Sequence, residues 1–153
     1  NYILAKSLLL NQNSGQAIEE FKRLTKAKNP EYAAEAQYVL AEIAFNSGKI
    51  EESEKMIHQI NANPSSEYWL AKTFVLWADI FKSKGNTIQA KQTLQSIIDN
   101  YEGDEELIEL AKQKLLSLTD EETKALQETE DKRQEHQEAV DEIIIEDAEQ
   151  QNQ

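Results

Sequence analysis

The chain contains no cysteine. Disulfides, thiolate metal sites and a cysteine nucleophile are therefore excluded, while compartment is left open. Proline occurs twice and glycine four times in 153 residues. Breakers this sparse favour long helices over a many-turned β fold. No apolar run is long enough to cross a bilayer, so direct membrane insertion is not expected. No Gly-rich phosphate loop is present, and no serine has an activating neighbourhood. Excess positive charge is also missing, since the formal net charge is -13. Residues 120–153 hold 13 Asp or Glu against 3 Lys or Arg, a net of -10, which leaves -3 for the preceding residues. A tail so acidic repels phosphate backbones, so nucleic acid is not an expected ligand. No signal peptide is visible. The chain opens at Asn1 without an initiator Met, which reads as a processed product or an excised piece.

What is present is helix former and helix punctuation. Asn29-Pro30-Glu31 has the form of an N-cap, a proline at the first helical position and an acid in the first turn. Asn63-Pro64 repeats it, with Ser65 or Ser66 as other candidate caps. Gly48 and Gly85 each close an apolar periodic run, where a left-handed residue ends a helix. Asn86 with Gln89, and Thr119 with Glu122, have capping-box spacing. These signals predict helices over 2–11, 14–28, 30–47, 50–62, 65–84, 86–101, 104–118 and 119 to about 148. The short connections predict antiparallel hairpins.

The chain is also self-similar. A shift of 37 residues lays Ala41 on Ala78, Ile43 on Ile80, Gly48 on Gly85, Ser53 on Ala90, Ile57 on Leu94 and Ile60 on Ile97. An earlier partial copy places Ala17, Phe21 and Leu24 on Ser53, Ile57 and Ile60. Two helices approach closely only where one side is small. Ala41 with Ser53, and Ala78 with Ala90, provide that clearance, while the larger residues fill the space between hairpins. A single hairpin cannot bury its own apolar face, so several must stack.

This pattern resembles the tetratricopeptide repeat over roughly residues 2–118. It has a large residue then a small one (Leu40-Ala41, Trp77-Ala78), Gly at the turn (Gly48, Gly85), a small residue in the second helix (Ser53, Ala90), a bulky one four later (Ile57, Leu94), and a terminal Pro (Pro30, Pro64). The period of 37 is longer than the family's usual ~34. Longer repeats with Tyr38-to-Ala41 and Tyr68-to-Ala71 stretches look like those of bacterial cell-envelope members such as the Tol-Pal coordinator. That likeness implies the periplasm or cell envelope. The fold implied is all-α: a right-handed superhelical stack of antiparallel helix hairpins in residues 1–118, an α-solenoid of about three hairpins plus a cap helix, followed by an acidic helical tail, 119–153. The resemblance further implies a scaffold that holds a protein or peptide partner in a concave groove lined by first helices, and no cofactor. Carried over by position, the groove falls to Glu35, Tyr38, Glu42, Phe45 and Asn46, then Lys72, Val75, Asp79, Lys82 and Ser83. Glu42 would repel a peptide's terminal carboxylate, so an apolar extended or helical segment is the expected guest. The incomplete first copy would leave Ile3, Leu4 and Leu8 bare, which fits a piece of a longer array.

Catalytic and metal constellations are missing from the sequence pattern. Glu54 and His58 share a helix face, but two ligands do not make a metal site. His136 sits among acids. Paired acids such as Glu51-Glu52 and Glu105-Glu106 complement helix dipoles. Trp77 falls at core spacing. The tail carries one apolar patch, Val140, Ile143, Ile144 and Ile145. Leu126, Val140 and Ile143 fall at coiled-coil spacing, with Arg133 and His136 interrupting the seam. A homo-oligomer paired through this helix is the alternative function.

Overall fold

A computed structural model describes residues 2–11 and 13–151 of the chain, and among these the regular secondary structure is all α-helix. The helices are α1 (Tyr2–Leu10), α2 (Ser14–Leu24), α3 (Pro30–Asn46), α4 (Ile50–Ala62), α5 (Glu67–Ser83), α6 (Thr87–Asn100) and α7 (Glu105–Gln151). They fall into two compact units, residues 1–115 and 116–153. Positions 152 and 153 of the tail lie outside the described residues.

Within the first unit α1 packs on α2, α3 on α4 and α5 on α6. Each pair is joined by a short turn, so the partners run antiparallel. Successive pairs meet through α2 on α3, α3 on α5 and α4 on α5. The small positions do what their size predicts. Ala41, Ser53 and Ala90 are fully buried and Ala78 nearly so. Ser53 Oγ donates to the Ala41 carbonyl at 2.7 Å, pinning α4 to α3. Phe21, Ile57 and Leu94, one per hairpin at equivalent places, are buried to within 1% of completely. Each contributes about 1.5–3 kcal/mol in removing its side chain from water.

The turns after α3 and α5 have the same construction. Gly48 and Gly85 take φ of 76° and 75°. Gly48 N–H bonds Phe45 O and Lys49 N–H bonds Ala44 O; Gly85 N–H bonds Lys82 O and Asn86 N–H bonds Phe81 O. Both are the paired 5→2 and 6→1 closure in which a left-handed glycine satisfies the last carbonyls of a helix. Asn29 caps α3, its side chain accepting from Glu31 N–H at 2.9 Å. Ser66 rather than Asn63 caps α5, accepting from Trp69 N–H at 3.4 Å.

Three expectations are corrected. α2 ends at Leu24 and not near residue 28; beyond it Lys26 N–H and Ala27 N–H turn to the Arg23 and Leu24 carbonyls in tighter i→i−3 bonds. Asn86 occupies the N-cap position of α6 without a side-chain cap bond. The predicted break near residue 119 does not occur, and α7 runs uninterrupted from Glu105 to Gln151. The Thr119–Glu122 spacing mimics a cap. With no Gly or Pro beyond Gly103, however, nothing makes it worthwhile to abandon the backbone bonds already in place.

Candidate functional site

α5 presents two opposite faces, and they differ in chemistry. One carries the groove positions expected from the sequence. Tyr38 is buried, donates to Glu42 Oε1 at 2.7 Å and lies 5.4 Å from the Trp69 ring. Burial and then the Glu42 carboxylate push its phenol well above the ordinary tyrosine value. Lys72 Nζ stands 5.4 Å from the Tyr38 ring centre, 5.2 Å from Trp69 and 5.8 Å from Tyr68. The cation is thus held by three faces of the protein's own aromatic residues. Asp79 accepts from Lys114 of α7 through both oxygens, at 2.7 and 3.0 Å.

Glu35 is buried and serves α1. It takes a 2.8 Å ion pair from Lys6 and a 2.5 Å hydrogen bond from Tyr2 Oη. The Glu35 partnership raises the pKa of Lys6. Desolvation, followed by the Glu35 bond, raises that of Tyr2. Val75 is buried. Phe45 packs half-buried on the core, and Asn46 and Lys82 are exposed. Ser83 Oγ donates to the Ile80 carbonyl at 2.8 Å. The structure therefore brings Tyr38, Glu42, Lys72 and Asp79 together, and binds their polar groups to partners within the chain.

The other face of α5 is the seam with α6. Leu70, Phe74, Trp77 and Phe81 follow one another at intervals of four, three and four, all half-buried. The Trp77 and Phe81 rings stack at 5.5 Å with 18° between planes, and Phe74 leans on Trp77 at 5.9 Å. His58 of α4 meets Trp77 edge-on at 5.0 Å. Its expected neighbour Glu54 turns instead to Lys84, at 2.8 Å. A groove of about 300 Å³ runs along Phe74, Trp77, Phe81, Gln89, Gln92, Thr93 and Ser96. A second, of about 370 Å³, shares Phe74 and Ser96 and continues to Leu70, Tyr101 and Glu67. An aromatic floor with amide and hydroxyl walls is the composition of surfaces that grip apolar side chains and orient a peptide backbone.

The expected groove positions lie on the opposite face, and Trp77 is expected chiefly in the core, with a ligand platform as the alternative. The signal was present in the 74, 77, 81 spacing. What it could not disclose was that those rings stay half-buried along two open grooves. The tail patch lies in the second unit, where Val140 is half-buried and Ile143, Ile144 and Ile145 are exposed. Among the described residues no group of three His, Asp or Glu converges as a metal site, and no helix is long and apolar enough to span a membrane. The chain matches no protein-family model and no curated protein.

Proposed function

We propose that residues 1–115 are a protein-interaction module of tetratricopeptide-like stacked hairpins, and that the aromatic seam of α5 and α6 is where a partner segment docks. The observation that carries this reading is the continuous groove floored by Leu70, Phe74, Trp77 and Phe81. Four half-buried apolar residues in a row form anchor sites for an amphipathic helix or an extended apolar peptide. A superhelical arrangement is supported by the contacts of α5 with both helices of the preceding hairpin. The charged face of α5 supports the scaffold role differently. Lys72 against Tyr38 ties α3 to α5 and the Asp79–Lys114 pair ties α5 to α7, while Glu35 of α3 separately holds α1 through Lys6 and Tyr2.

Ile3, at the place where Val39 and Leu76 are buried, is 82% exposed. That position suits a further hairpin, as an array would supply. A scaffold of this kind needs no cofactor and performs no chemistry of its own.

The test is peptide selection from a random displayed library on the full chain, followed by titration of the selected peptide. Trp77→Gln and Phe74→Gln should weaken binding at least about tenfold, the usual loss for an aromatic anchor, while Lys72→Ala should change it little. Binding that survives both seam substitutions and is lost with Lys72→Ala would move the site to the charged face. Failure to select any peptide would remove the reading.

A further inference from the structure

The tail of α7 carries a stripe whose pattern specifies its own partner. Between residues 123 and 145 there are seven acidic residues. All seven (Glu128, Glu130, Asp131, Glu135, Glu138, Asp141 and Glu142) fall outside the seam drawn by Leu126, Thr129, Arg133, His136, Val140 and Ile143. That seam alternates steps of three and four residues throughout, the spacing of a two-stranded coiled coil. Its apolar ends are bare: Leu126 is 63% exposed and Ile143 60%. A helix polar on most of its surface, with one acid-free stripe that is apolar at both ends, is stabilised by covering those ends.

We propose that the stripe pairs with the same stripe of a second copy, antiparallel, about a midpoint between Gln134 and Glu135. In that register one midpoint serves every layer: Leu126 meets Ile143, Thr129 meets Val140, and Arg133 meets His136. The interruption that spoils the seam when it is read along one chain becomes two adjacent central polar layers, related by the two-fold axis and flanked on each side by Thr129 with Val140 and then Leu126 with Ile143. Polar layers of this sort fix register at some cost in stability.

Charge selects the orientation. Residues 123–134 carry three acids and three bases, whereas residues 135–145 carry four acids and no base. Antiparallel pairing lays the balanced half on the acidic half. Parallel pairing would lay acidic half on acidic half and put Arg133 against Arg133 in the seam, both repulsive. This inference stands on the second unit alone and does not depend on the docking groove.

The chain lacks cysteine, so single cysteines report orientation without background. Leu126→Cys and Ile143→Cys versions of the full chain, mixed and oxidised, should give the mixed disulfide in large excess over either homodisulfide. Equilibrium sedimentation of the unmodified chain should show a monomer–dimer equilibrium. Leu126→Glu should weaken it at least about a hundredfold, because each substitution removes two buried leucines from the dimer. Gln134→Glu, on the outer face, should leave it within about threefold. A monomer at submillimolar concentration would overturn the proposal. So would homodisulfides in excess at both positions, which would report a parallel pair.

Discussion

The hairpin α3–α4 and the hairpin α5–α6 share a buried skeleton and differ on both faces of their first helices; on the charged face Glu35, Tyr38 and Phe45 give way to Lys72, Val75 and Lys82. Ala41, Ser53, Ile57 and Ile60 in the first correspond to Ala78, Ala90, Leu94 and Ile97 in the second, and all eight are buried. Along the seam, however, Gln37, Leu40 and Ala44 give way to Phe74, Trp77 and Phe81. The first seam holds a groove of about 200 Å³ that includes Gln37, Leu40, Met56 and Gln59. The second holds the aromatic row. The positions that set how closely two helices approach are fixed by sterics, and both copies obey them. The seam is half-buried in the second copy, with Trp77 packed against the core, and its outer part is less constrained by that rule.

Breaking the shared skeleton should have the largest effect, and the same one in either copy. Ile57→Ala and Leu94→Ala remove fully buried side chains from equivalent sites. Each should cost about 3 kcal/mol in urea denaturation of the full chain. Overfilling the small positions comes next. Ala41→Leu and Ala78→Leu should each cost about 2 kcal/mol, because the facing helix must move or adopt strained rotamers. The glycine turns offer a cleaner comparison. A Cβ at Gly48 or Gly85 would meet nothing within 4 Å, so Gly48→Ala and Gly85→Ala should each cost about 1 kcal/mol through backbone strain alone. Unequal losses would show that the two turns are not equivalent.

The seam sharpens the contrast further. Phe81→Ala installs the residue found at the equivalent Ala44. It should cost about 1 kcal/mol or less of stability, since the ring is half-buried, yet abolish most binding of a selected peptide. The smallest effect is with pH. Tyr38 and Tyr2, raised chiefly by burial, and Lys6, raised chiefly by Glu35, keep their protons more tightly in the folded chain. Unfolding therefore releases protons at alkaline pH, and stability should be level through neutrality and decline as pH rises above about 10. Glu35→Gln should shallow that decline, measured by thermal unfolding across the range.

Much of this was legible in the sequence. The glycine turns, the Asn29 cap, the small–large register and the all-helical class follow from local rules: only glycine takes the left-handed turn cheaply, and only small residues admit a neighbouring helix. The proposed docking surface was less legible. The expected groove positions Tyr38, Glu42, Lys72 and Asp79 do converge, yet their polar groups are satisfied partly by near neighbours and partly by contacts between helices, Lys72 on Tyr38 and Asp79 on Lys114. The seam aromatics had core spacing, and spacing cannot distinguish a ring that is covered from one left half-bare. Periodicity in one helix records which residues lie together on a face. Whether a face is buried, bonded or open depends on which other helices reach it, so the sequence by itself determined the helices, their turns and their close-packed positions. The tertiary structure alone decided that one side of α5 is bound into the scaffold while the other remains open, because burial is a property of neighbours and not of the residue itself.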